Sequence, residues 1–136
     1  MTLHDLNRHR ELIKQLEENT TYVDRLRSTY GLKSPLMDDM PHGSGGGDML
    51  SVIAVEIADL DAKNKYLKKL IRQSEKKVRA FTDGIDDSLT KLVFNLRFLA
   101  GMEWNEVANA AGGPNTPESV KKLCYRYLKL NDNGTY

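Results

Sequence analysis

The sequence predicts an all-α protein: a long antiparallel helical hairpin or coiled coil followed by a small three-helix domain. Apolar residues recur at alternating steps of three and four along two long stretches, the spacing of a helix seam. Glycine, proline and capping residues punctuate these stretches and three shorter ones. A composition of 40% apolar and 29% charged residues describes helices with one buried stripe and an extended solvated surface.

The first helix is predicted from about Leu3 to Tyr30. His9, Leu12, Leu16, Asn19, Val23, Leu26 and Tyr30 form its seam, and Gly31 supplies the stop. Thr20 and Thr21 weaken the helix by propensity without breaking the pattern. The connection LKSPLMDDMPHGSGGGD contains Pro35, Pro41 and a glycine cluster, and no helical period survives across 31–47.

Asp48 is placed to cap a second helix that runs to about Phe81. Ile53, Ile57, Leu60, Asn64, Leu67, Ile71, Ser74, Val78 and Phe81 repeat the seam over four heptads. A stripe this narrow builds no core alone, so it requires a partner helix. The first helix folded back within residues 1–82 is one candidate, and the same helix in a second subunit, giving a homodimer, is the other. Asn19 and Asn64 each set a polar group in the seam, a means of fixing register.

The third part spans 83–130. Asp86 is expected to cap a helix whose inward face is Leu89, Leu92, Val93, Leu96 and Leu99, ended by Gly101. A short helix follows with Trp104, Val107, Ala108 and Ala111, terminated by Gly112 and Gly113. Thr116 and Pro117 then form an N-cap and first-turn pair. Val120, Leu123, Cys124, Tyr127 and Leu128 point inward on the last helix; Glu118, Lys121, Lys122, Tyr125, Arg126 and Lys129 point outward. Residues 131–136 are expected to be a disordered tail.

Charge is nearly balanced, with 20 Lys and Arg against 19 Asp and Glu, but it is unevenly spread. Residues 1–61 hold 6 basic and 11 acidic groups, residues 62–80 hold 8 and 1, and residues 81–136 hold 6 and 7. The basic block KNKYLKKLIRQSEKKVR flanks a heptad seam. It reads first as a solvated coiled-coil surface, and second as a patch for a polyanion.

Several chemistries are set aside on spacing. The run Gly43 to Gly47 has neither a preceding strand nor a following Gly-Lys-Ser/Thr, so it reads as a linker rather than a phosphate cradle. His4, His9 and His42 lack metal-ligand spacing. Cys124, the single cysteine, sits on an inward helix face, where a small apolar role outweighs a nucleophilic one. Asp86 and Asp87 are adjacent, so they cap rather than form a catalytic pair. No enzyme, cofactor or metal is expected. The apolar runs are too short for a bilayer, MTLHDLNRHREL lacks the apolar core of a secretory signal, and a lone cysteine suits a reducing cytoplasm.

What remains is the order of elements from Leu96 to Leu130: an apolar helix, a short helix closing on Ala-Gly, then a capped helix bearing lysine, arginine and tyrosine. That is the ordering of a helix-turn-helix, whose expected partner is double-stranded DNA. Ala108 supplies the small residue that a close helix crossing needs, and Gly112 lets the chain reverse. From Thr116 to Leu130 there are four Lys and Arg against one Glu. The basic side chains suit phosphates, while Asn115, Ser119, Lys122 and Tyr125 have groups for base edges. The expected interface is therefore Asn115, Thr116, Ser119, Lys121, Lys122, Tyr125, Arg126 and Lys129. An outward row of lysines near a helix C-terminus is also what an ordinary solvated helix carries.

The stretch from Ile85 to Leu130 resembles region 4 of sigma-70-type factors as found in phage late-gene transcription activators of the RinA and ArpU type. The likeness rests on LRFLAGMEWNEVA, at Leu96, Arg97, Phe98, Gly101, Trp104, Glu106, Val107 and Ala108. A proline- and glycine-rich connection like PHGSGGGD followed by a long helix also precedes the domain in those proteins. The resemblance implies a regulator acting on late-gene promoters, with RNA polymerase as a second partner. One departure stands out: GGPNT places Thr116 four residues after Gly112 where family members place the cap two after, so the turn is two residues longer. An adaptor that docks on polymerase or another regulator through its helices is the alternative function.

Overall fold

A computed structural model describes residues 1–31 and 47–132. The connection between them, with Pro35, Pro41, His42 and most of the glycine run, lies outside the described residues, as do 133–136. The elements are α1 (Leu3–Tyr30), α2 (Gly47–Asp83), α3 (Ser88–Phe94) continued by a π-helical turn (Asn95–Leu99), α4 (Trp104–Ala111) and α5 (Pro117–Asp132). The protein is all-α, as predicted, and among the described residues no helix is long and apolar enough to cross a membrane.

The described residues divide into two compact units. One comprises Met1–Leu12 with the chain from Ile71 onward, and the other lies within Ile13–Leu70. In the second unit the seam closes within the chain. Val23, Ile53 and Ile57 are buried together, with Leu26 and Leu60 packed against them. Gln15 shares a surface recess with Ala62 and Leu67, whereas Tyr22 donates to Glu56 at 2.7 Å, so the pair is antiparallel. Arg27 and Asp61 form an exposed ion pair at 3.0 Å, a kind that contributes at most about 1 kcal/mol. Asn64 is buried, and its Oδ1 has no hydrogen-bond partner, so Asn19 does not supply one. Tyr30 departs from the predicted seam: at 41% exposure it stands beyond the last packed turn, just before Gly31 takes φ 73°.

The first unit buries Leu6, Val78, Ile85, Val93, Phe94, Phe98, Val107, Ala108, Val120, Cys124 and Leu128. Phe94 is its aromatic centre, meeting Phe81 and Tyr127 edge-on at 5.5 and 5.6 Å between ring centres and Phe98 at 5.8 Å. Helices α3 and α4 both pack on α5. This unit is larger than the predicted domain of 83–130, because it also takes in the start of α1 and the end of α2. Three short helices offer little apolar surface of their own, and Leu6 and Val78, fully buried, complete it.

Three local readings are corrected. The cap of α3 is Asp87, not Asp86: Asp87 Oδ2 accepts from the Thr90 amide at 2.9 Å and its hydroxyl at 2.7 Å, which holds the Asp87 carboxyl below its usual range. The inward face of that helix is Thr90, Val93, Phe94 and Phe98, while Leu89 and Leu92 are 37% and 41% exposed. Two causes combine: the large Phe rings take the interior, and the π turn adds a residue that shifts the register beyond Phe94. Residues 131 and 132, expected in a tail, belong to α5, which continues to Asp132.

Candidate nucleic-acid interface

Helix α4 begins with a reciprocal cap. Glu103 accepts from the third residue of the helix, and Glu106 returns an acceptor to the Glu103 amide at 3.0 Å. The helix buries Val107 and Ala108, the latter at the crossing where a small side chain was expected. Gly112 ends it with φ 73° and ψ −175°, and Gly113 follows at φ 63°. The first of these conformations is essentially restricted to glycine.

The turn into α5 uses its own polar side chains. Asn115 donates its amide to the Gly112 carbonyl at 2.7 Å, bracing the lengthened GGPNT turn. Thr116 Oγ1 accepts from the Ser119 amide at 3.1 Å, and Ser119 Oγ accepts from the Thr116 amide at 2.8 Å. Ser119 Oγ also donates to the Thr116 carbonyl at 2.9 Å. Asn115, Thr116 and Ser119 are thus engaged in starting the helix, Thr116 and Ser119 exposed and Asn115 half-buried.

Beyond the cap, Val120, Cys124 and Leu128 are buried, with Leu123 and Tyr127 packed beside them. That fixes the rotation of α5 and sends Glu118, Lys122, Tyr125, Arg126 and Lys129 to its exposed side. Steps of three and four align Glu118, Lys122, Tyr125 and Lys129 in one stripe, with Arg126 alongside. Lys121 lies at the flank, half-buried, its Nζ 5.8 Å from the centre of the Tyr125 ring. The structure therefore gathers five of the eight predicted residues, Lys121, Lys122, Tyr125, Arg126 and Lys129, along α5. The other three cluster at its N-terminus. Burial pushes the Cys124 thiol up to about 12, so it is a protonated core group.

One supporting residue escaped the sequence reading as a site element. Arg97, in the π turn, has a side chain only 11% exposed. It donates to the Met102 carbonyl at 3.1 Å, stacks 4.3 Å from the centre of the Trp104 ring, and lies 3.7 Å from Glu103. Arg10, from α1, reaches Glu103 at 3.4 Å. Burial lowers the Arg97 pKa, and nearby Arg10 lowers it further, while Glu103, Tyr125 and Cys124 oppose the shift. The guanidinium ties the start of α4 to the π turn and faces the middle of α5. An arginine inside the apolar run LVFNLRFLAGMEW, seven residues before the only tryptophan, was the available signal.

Comparison with protein-family models, with curated proteins and with solved structures yields no match to this chain.

Proposed function

We propose that this protein is a sequence-specific DNA-binding transcription regulator that presents α5 to duplex DNA, with phage-type late promoters as its sites. The observation that carries the reading is the exposed row of Lys122, Tyr125, Arg126 and Lys129 on a helix whose opposite face is locked against α4 by Val107, Ala108, Val120 and Cys124. A rigid helix with donors along its free side suits a major groove, and its lysines and arginine suit the flanking phosphates. With Asn115, Thr116 and Ser119 engaged in the turn, readout falls mainly to Lys122, Tyr125 and Arg126. RNA polymerase is the second partner in this reading, and no catalytic step is involved.

Binding that rests on phosphate contacts weakens with salt by roughly 0.9 in log–log slope per phosphate neutralised. The test is a gel shift of the full chain on late-promoter fragments at about 50 mM salt, where the electrostatic contribution is large. Lys122→Glu with Arg126→Glu is expected to abolish the shift while leaving the circular dichroism spectrum unchanged. Full affinity in that double variant overturns the assignment of α5.

A second reading, a non-enzymatic adaptor docking on polymerase or another regulator, is favoured by one observation. Residues 81–136 carry 6 basic and 7 acidic groups, and Glu118 shares the exposed stripe of α5. An adaptor shows no promoter shift at any salt, so the Lys122→Glu, Arg126→Glu variant has no DNA binding to lose.

A further inference from the structure

Near its C-terminal end α2 is fixed in rotation by the first unit, where Val78 is buried in the core and Ser74 meets His9. That rotation sends Arg72, Lys76 and Arg79 to the opposite side, where steps of four and three align them in one exposed row with Lys77 at its flank. Successive charges of the row stand about 5 Å apart along the helix axis. Among the described residues only Arg79 of these four is paired with a carboxylate, that of Glu75 at 3.4 Å. Like charges one turn apart, as at Arg72 and Lys76, work against the helix, so the row does nothing for the stability of α2. The other exposed residues from 71 to 80 are Gln73 and Ala80, so no large apolar side chain accompanies the cations. This separates the classes of partner. A protein partner is ordinarily anchored by buried aromatic or aliphatic groups, and a helix lying on a bilayer needs an apolar face against the acyl chains. A phosphodiester backbone needs neither, since neutralising its charge and releasing its counterions drives binding unaided.

We propose that the row of Arg72, Lys76, Lys77 and Arg79 binds the phosphate backbone of duplex DNA without regard to base sequence. Duplex DNA carries one negative charge per about 1.7 Å of its axis, dense enough to offer a phosphate to every cation of the row. The row supplies what α5 is short of. Residues 81–136 hold 6 basic and 7 acidic groups and Glu118 shares the exposed stripe of α5, whereas residues 62–80 hold 8 basic groups and 1 acidic one. Affinity that is indifferent to sequence therefore comes from α2, and discrimination between sequences from α5. The proposal rests on the DNA reading for the identity of the polyanion, and not on the role given to α5.

Fluorescence anisotropy of a labelled duplex unrelated to any promoter, titrated with the full chain over a salt series starting at about 50 mM, reads the row directly. Arg72→Gln with Lys76→Gln is expected to weaken binding at least about tenfold at the lowest salt and to reduce the log–log salt slope by about 1.8, for two phosphates at about 0.9 each. A promoter fragment should lose affinity by the same factor, so the preference for it is kept. The thermal midpoint should not fall, because both side chains are exposed and their removal relieves repulsion. Lys122→Glu with Arg126→Glu is the control for α5: it should remove the promoter preference and leave weak binding to the unrelated duplex, which the Arg72→Gln, Lys76→Gln pair then reduces further. Unchanged affinity and slope in the Arg72→Gln, Lys76→Gln variant overturn the proposal, even with the promoter shift of the parent intact. An α5 variant that keeps its promoter preference, while the α2 variant loses affinity, overturns the α5 assignment alone and supports this one. Vesicles of phosphatidylserine and phosphatidylcholine supply the last arm. Vesicle binding that the α2 variant loses, in a parent that binds no duplex at any salt, overturns the proposal in favour of a lipid surface.

Discussion

The Arg97 guanidinium lies 4.3 Å from the centre of the Trp104 ring, where it joins the π turn after α3 to the first residue of α4. A cation held over an indole and shielded from water contributes about 1–2 kcal/mol. Replacement by glutamine keeps a donor but loses the charge and most of the stacking. Arg97→Gln is therefore expected to lower unfolding stability by about 1–2 kcal/mol, seen as a lower urea midpoint with unchanged slope. An unchanged midpoint would show that the stack contributes nothing to holding α4.

Leu6 is completely buried in a core otherwise drawn from residues 78–128. Truncating a buried leucine costs roughly 2–5 kcal/mol through lost transfer energy and the cavity left behind. Leu6→Ala should accordingly lower the thermal midpoint of the unit containing α3 to α5. The fragment 83–132, which lacks Leu6, Val78 and Phe81, should show little cooperative unfolding. Sharp two-state melting of that fragment would contradict the packing.

His9 gives the fold a dependence on pH. Its Nδ1 hydrogen-bonds Ser74 Oγ, which itself donates to the Ile71 carbonyl at 3.1 Å, so Nδ1 carries the proton. Nε2 is buried without a partner, and burial lowers the His9 pKa from 6.5 despite the opposing charge of Glu75. Below pH 6.5 the unfolded chain takes up a proton that the folded chain resists, so the unfolded state binds more protons. Stability is full above that pH and declines as the pH falls from 6.5 through the lower folded value. His9→Leu should remove this slope in urea titrations between pH 7 and 5, about two units around the histidine range. The Asp5 and Asp87 carboxyls, both lowered by hydrogen bonds, act further down, losing their contribution as the pH falls below 3.8.

Gly112 offers a test of the turn into α5. A Cβ there meets nothing within 4 Å, so any cost of substitution comes from its φ of 73° with extended ψ. Gly112→Ala is expected to destabilise by about 1–3 kcal/mol, and Asn109→Ala, at an exposed site within α4, by far less. Calorimetry of the three proteins compares them directly.

Long helices were legible because their seams are regular. Val23, Ile53, Ile57, Leu67 and Val78 are buried at the predicted steps. The caps Thr116 and Gly112 also behave as their residue types require. Leu89 and Leu92 were misplaced because Thr90, Val93 and Phe94 take the inward face of α3, and the π turn that follows then shifts the register beyond Phe94, an extra step no residue type announces. Adjacent aspartates hid which of the two would cap α3. Periodicity likewise indicates that a stripe is buried without saying by what, so the recruitment of Met1–Leu12 to the last three helices was not visible. At the candidate interface the basic row was legible from helix rotation alone. The engagement of Asn115 and Ser119 in the turn was not, since a polar side chain's partner is a matter of local geometry.

The burial of Leu6 also orders the events of synthesis. Its core partners Val107, Val120 and Leu128 are made more than a hundred residues later, so the first turns of α1 leave the ribosome with their wall still untranslated. The C-terminal unit closes only when the last helix has emerged, and the beginning of the chain is the piece that seals it.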